Sequence, residues 1–265
     1  MMPEIYQIQN RGQVVNNACQ WIARHRRLAV RVLVLPTLLV PMLLLINYIT
    51  LQIDVIYILD VVLAMLYLPT LPMIMMHVAE HEEEFGYPER LPRVMQLIPL
   101  WWRYFKNIFI VNAVGVVLSG VLSVTVVLPM VINLIMPIAI TAKQRDSDKS
   151  VLDVMLEGTK MMFSNFGTFI MCEIGIMIIS VSMIGAPIAA GYGIVEFLRQ
   201  FMNINVTRYT DSWLGNDTTV AVCIVFVAIC AAFAYHIVMI IFNFFYGHCK
   251  EKSEHVALIE RINNL

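Results

Sequence analysis

Residues Ile108 to Ala142 read IFIVNAVGVVLSGVLSVTVVLPMVINLIMPIAITA, 35 residues without one ionisable side chain. As a single α-helix this stretch would run about 52 Å at 1.5 Å per residue, far beyond the roughly 30 Å of bilayer hydrocarbon. Leu128-Pro129 stands inside it, and proline disfavours helical backbone at the residue before it. The stretch therefore reads as two spans, about 108–126 and 128–142, joined by a tight turn. Four further apolar runs, about 29–50, 55–78, 166–186 and 219–246, each reach the roughly 20 residues a crossing helix needs. The expectation is six spans.

The rest of the composition agrees. The chain of 265 residues is 59% hydrophobic and 14% charged, where a soluble domain carries about 25% charged residues. There are too few charges to coat a soluble globule, and a net charge of −1 gives no global attraction to nucleic acid. Because charges are few, their positions carry information. With six spans both termini fall on one side, together with 16 of the 18 Lys and Arg; the far side keeps only Arg199 and Arg208. The positive-inside rule then places both termini in the cytoplasm, so the expected location is the inner (plasma) membrane, multi-pass. Reading 108–142 as one span would move Lys143 to Lys160 outside and weaken that bias. The polar stretches, an arm at 1–28, a tail at 247–265 and the loops, are too short for a core of their own, so residues 1–265 form one integral membrane domain. The first 27 residues are polar and basic, which is not the pattern of a cleaved signal peptide. The five cysteines are odd in number and form no CxxC, so they read as single thiols.

Before each odd-numbered span lies an amphipathic segment ending in aromatic or basic residues: Cys19 to Arg27, Leu100 to Asn107, and Thr159 to Phe166. Trp and Tyr favour the headgroup level, and Lys and Arg reach it from the helix ends. Trp21, Trp101, Trp102 and Arg103 are the expected interfacial anchors. The expected fold is all-α: a polytopic membrane helix bundle of six transmembrane helices arranged as three hairpins, each preceded by a cytoplasmic amphipathic surface helix.

This order resembles a family of polytopic inner-membrane proteins from Bacteroidota, related to the membrane domain of some glycerophosphodiester phosphodiesterases. The arm from Val14 to Leu28 running into a Pro-containing first span is similar to that family's opening. So are the Leu128-Pro129 break, the segment Val151 to Phe166, and the ending with Leu258-Ile-Glu-Arg-Ile262. The resemblance covers nearly the whole chain, and its motifs are loose and non-catalytic. The phosphodiesterase half has no counterpart here, so its activity is not carried over. The resemblance implies a six-span bacterial membrane protein.

Few residues suggest chemistry. His77-Val-Ala-Glu80-His81 fits the H-x-x-E-H signature of inverted zinc peptidases. On a helix His77 and His81 share a face at i, i+4, with Glu84 or Glu157 available as a third ligand. Against this, the motif sits where a polar helix end is expected, and the chain has no room for such a peptidase fold. No cofactor is expected. Ionisable groups within spans are expensive and usually face the bundle interior; these are Asp60, Glu173 and His236, a candidate polar pathway. The alternative for them is plain hydrogen bonding between helices. Gly185-Ala-Pro-Ile-Ala-Ala-Gly-Tyr-Gly193 suits a break or a close helix contact after span five, and is followed by an outer amphipathic helix at 194–202.

The leading expectation is a non-enzymatic membrane protein: a scaffold, or a subunit of a membrane transport or envelope-maintenance system. Its partners are the lipid bilayer and a membrane-protein partner or second copy of itself, with no nucleic acid. The alternative is a small transporter or lipid-handling protein using Asp60, Glu173 and His236. The remote alternative is a membrane metallohydrolase at His77, Glu80 and His81.

Overall fold

The structure is a computed structural model that describes residues 8–10, 12–34, 36–38, 68–121, 127–201 and 217–263. Most of the 29–50 and 55–78 runs lie outside the described residues, and Asp60 with them. The described part contains helices and turns and no strand. In chain order these are α1 (Gln13–Arg24), then α2 (Arg26–Ala29), which runs into a π-helical turn (Val30–Val34). Next come α3 (Thr70–Glu80), a single turn α4 (Glu82–Phe85), α5 (Val94–Val121), α6 (Val127–Arg145) and α7 (Val151–Ser164). Then α8 (Phe166–Ser180) continues through a second π-helical turn (Val181–Gly185) into α9 (Ala186–Phe201), and α10 (Asp217–Asn263) follows.

Three described stretches are long and apolar enough to cross a membrane: Val94–Val121, Phe166–Ala190 and Ile229–Ile259. Their burial differs. Of the apolar window of Ile229–Ile259, 61% is buried, against 22% and 11% for the other two. So α10 forms the centre and α5 and α8 the periphery. From Met239 to Tyr246 every side chain of α10 is buried, the pattern of a helix surrounded by others. On α5 and α8 the apolar side chains Phe109, Val116, Val117, Met177 and Ile178 are exposed in the bare chain. So much open apolar surface requires a cover, which hydrocarbon supplies.

The 108–142 stretch is divided between two helices. α5 ends at Val121 and α6 begins at Val127. They pack antiparallel, with Gln144 bonded to the Tyr104 carbonyl at one end and Gly115 against Met136 further along. Other expected boundaries are absent. No separate surface helix precedes this pair: Leu100 to Asn107 is the first half of α5, and the helix runs unbroken through Pro99. Pro99 lacks the N–H that would bond the Met95 carbonyl, but Met95 is 77% exposed, so that carbonyl is not buried without a partner. The expected break at Gly185–Gly193 is also absent. Pro187 has no N–H for the Met183 carbonyl, and the wider π-turn at Val181–Gly185 is the local adjustment that keeps such a helix continuous. The tail is the last part of α10 rather than a separate segment.

The amphipathic helices α1 and α7 lie against the bundle. α1 buries Val14, Ala18 and Trp21 at i, i+4 and i+7, one helical stripe. Trp21, expected as an interfacial anchor, is only 4% exposed; its ring lies 4.5 Å from His25 and 6.1 Å from Phe244 of α10. The cause is close approach. Gly175 of α8 faces Val15, and a Cβ there would lie 2.7 Å from Val15 Cγ2. The Gln9 N–H also donates to His248 Nδ1 at 3.0 Å. α7 is capped by Ser150, whose Oγ accepts from the Asp153 N–H at 3.1 Å, the polar half of a capping box. Its Gly158 packs on Ile135 and Ile138 of α6. Its other face leaves Leu152, Leu156 and Phe163 exposed.

Replacing Gly175 tests this packing. Gly175→Val overfills the α1–α8 contact and is expected to cost about 1–3 kcal/mol, read as a lower Tm in detergent micelles. Gly120→Ala, at a position where a Cβ meets nothing within 4 Å, leaves Tm unchanged or raises it.

Candidate functional site

Four helices meet at a polar cavity of about 250 Å³. The end of α3 brings His77, Glu80 and His81; α5 brings Arg103 and Tyr104; α6 brings Gln144 and Arg145; and α10 brings Asn243. The i, i+4 spacing of the two histidines stacks their rings at 4.1 Å between centroids. Glu80, at i+3 from His77, points to α6, where both of its carboxylate oxygens accept from the two terminal nitrogens of Arg145. This bidentate fork is the strongest ion-pair geometry available to these groups. The Glu80 and Arg145 side chains are 9% and 20% exposed, so the pair is screened less than a surface pair.

The geometry does not suit the H-x-x-E-H chemistry. A zinc peptidase needs its glutamate free to take a proton from metal-bound water, and Glu80 gives both oxygens to Arg145. His81 Nδ1–H donates to the His77 carbonyl at 3.0 Å, which leaves Nε2 as its acceptor. Among the described residues no three His, Cys, Asp or Glu side chains converge to hold a metal ion. Glu157 instead accepts from Lys149 Nζ at 2.9 Å and lies 3.5 Å from the Tyr246 hydroxyl. That carboxylate, aided by Asp146, holds the Lys149 ammonium above its ordinary pKa.

The rest of the cavity wall can bind and orient. Gln144 Nε2 donates to the Tyr104 carbonyl at 3.1 Å, while its Oε1 is buried without a hydrogen-bond partner among the described residues. Tyr104 stands edge-on to His77 at 5.8 Å. Arg103 is exposed at the rim and has no carboxylate partner among the described residues. Asn243 donates to the Met239 carbonyl at 2.9 Å. The described lining includes no Ser, Thr or Cys that could serve as a nucleophile. The other anchors lie along α5. Trp102 is 63% exposed and Trp101 half-buried, and Trp101 and Phe105 stack at 5.0 Å.

The intramembrane groups are placed apart. His236 is 1% exposed. The Thr37 hydroxyl donates to the Leu33 carbonyl at 2.5 Å, so the 2.7 Å contact between Thr37 Oγ1 and His236 is made by His236 Nε2–H donating. It ties the foot of the first apolar run to α10. Glu173, half-buried on α8, has no hydrogen-bond or ion-pair partner among the described residues and no link to His236. Sequence reasoning did not find Arg145, Gln144 or Thr37. Arg145 ends α6 as an ordinary snorkelling cation would, and its partner is 65 residues away.

Breaking the fork tests its role. Glu80→Gln or Arg145→Met alone is expected to cost about 2–4 kcal/mol, because the remaining charge is left unpaired in a partly buried site. The double variant Glu80→Met/Arg145→Met recovers most of the loss, and a double-mutant cycle of thermal melts checks it. Compared with protein-family models, curated proteins and solved structures, the chain matches none of them.

Proposed function

We propose that this is a non-enzymatic, multi-pass inner-membrane protein with six spans and cytoplasmic termini, a scaffold or a subunit of a transport or envelope-maintenance assembly. The observation that carries this reading is the Glu80–Arg145 fork. The one carboxylate in the described lining of the polar cavity is committed to joining α3 to α6. His236 is committed likewise, to Thr37. Where the buried polar groups are spent on holding helices together, what remains for function is surface: the rim cations, the outward stripe of α7 and the long end of α10. The resemblance to the Bacteroidota membrane family fits this reading.

One observation favours the alternative of a small transporter or lipid-handling protein. Glu173 is a half-buried carboxyl without a described partner, within a stretch apolar enough to cross the membrane. Intramembrane carboxyls of this kind mark ion or substrate paths in many membrane proteins.

Reporter fusions test the topology. A reporter that is active only in the cytoplasm is expected to work at residue 265 and within 146–150, and a periplasm-dependent one within 202–216. Activity on the opposite sides would overturn the six-span arrangement. Cross-linking in native membranes is expected to trap a second protein or a second copy. Monomer alone, together with a loss of solute or lipid flux in Glu173→Gln, would favour the transporter instead.

A further inference from the structure

A second cavity, of about 240 Å³, lies between the foot of the first apolar run, α3 and α5. Its floor is Val32, Leu71 and Ile74, each 3% exposed or less. Its rim is Val94 and Ile98, which are 59% and 51% exposed, so the cavity opens sideways from the bundle. Leu97 and Trp101 complete the α5 wall. The lining has one charged group, Arg31. It is carried by the π-helical turn Val30–Val34, a backbone form that often marks functional sites. Arg31 is half-buried and has no carboxylate partner among the described residues.

An apolar slot opening sideways, with one guanidinium and one indole on its wall, has the two-part chemistry of a lipid: hydrocarbon and anionic headgroup. Arginine is suited to phosphate because its planar fork presents paired donors. The first apolar run begins at this level, so the guanidinium lies near the headgroup layer, where Arg and Trp collect. A peptide helix, about 10 Å across with its side chains, needs more room than a slot of about 240 Å³ gives. A soluble anion would have no use for the apolar floor. We propose that this cavity is a built-in site for one glycerophospholipid, with the phosphate on Arg31 and one acyl chain against Leu71, Ile74 and Ile98. The bound lipid would complete the packing between α3, α5 and the first span. The proposal rests on the membrane setting of the chain and on neither the scaffold nor the transporter reading.

The test is native mass spectrometry of detergent-purified, delipidated protein titrated with phosphatidylglycerol, with diacylglycerol as the headgroup-free probe. The wild type is expected to take up one phosphatidylglycerol per chain and at least tenfold less diacylglycerol. Arg31→Gln is expected to lose at least tenfold in phosphatidylglycerol affinity while its weak diacylglycerol binding stays. Ile98→Trp, which fills the slot, is expected to lose both. Met95→Trp places the same indole on the same helix at a 77% exposed position outside the lining, and is expected to bind like the wild type, which controls for folding. Three results would each overturn the proposal: wild-type affinity in Arg31→Gln, equal binding of the two probes, or a dimer that Ile98→Trp dissociates, which would mean that a second copy covers the slot.

Discussion

The bidentate fork between Glu80 and Arg145 ties the ends of α3 and α6, and such polar ties matter because a membrane removes the usual source of cohesion. In water, packing α3 against α5 and α10 would be driven by hiding apolar surface. In hydrocarbon the lipid tails are as apolar as Leu or Ile, so that drive vanishes and helices are held by close fit and polar ties. The structure uses both. Small residues bring α1 to α8 at Gly175 and α7 to α6 at Gly158. Polar ties act at Glu80–Arg145, at His236–Thr37 and at Gln144 on the Tyr104 carbonyl. The first two ties join elements far apart in sequence and the third closes the α5–α6 pair, so they add to the packing what apolar burial alone cannot supply in hydrocarbon.

The parts legible in the sequence were those set by length. A run of 35 apolar residues cannot be one crossing helix, and two helices divide it between Val121 and Val127. Finer boundaries were not legible. Hydropathy cannot separate a helix lying on a surface from the first turns of a helix entering it, and Leu100 to Asn107 proved to be continuous with α5. A proline signals a missing N–H without saying whether the backbone breaks there or widens, and at Pro187 it widens into a π-turn. The burial of Trp21 was not legible for a related reason. An amphipathic helix needs a cover for its apolar stripe, but the sequence does not name the cover. Here α8 and α10 cover it instead of lipid.

The candidate site divides in the same way. The helical spacing of His77 and His81 was readable, since i, i+4 neighbours must meet, and they stack. What decides their chemistry is the destination of Glu80, and that depends on Arg145, 65 residues later. A motif of helical spacing specifies which side chains share a face of one helix. It cannot specify what the next helix sets against that face, and for an acid–base residue the opposing charge determines the role.

The distribution of unspent charge then follows from depth. Inside the bundle a lone charge is costly, so Glu80 is paired and His236 hydrogen-bonded. The cations left over, Arg31 and Arg103, line the two cavities beside the aromatic residues Trp101 and Tyr104 of α5. At the headgroup level water and phosphate groups can complete a cation's hydrogen bonds, so the protein need not. Glu173 departs from this pattern, being half-buried and without a described partner. A carboxyl at such a depth is costly to keep without a partner, which is why Glu173 stands apart from the paired groups of the bundle. The described bundle thus ties its buried polar groups to one another and leaves its rim cations to the surroundings, with Glu173 of α8 as the exception.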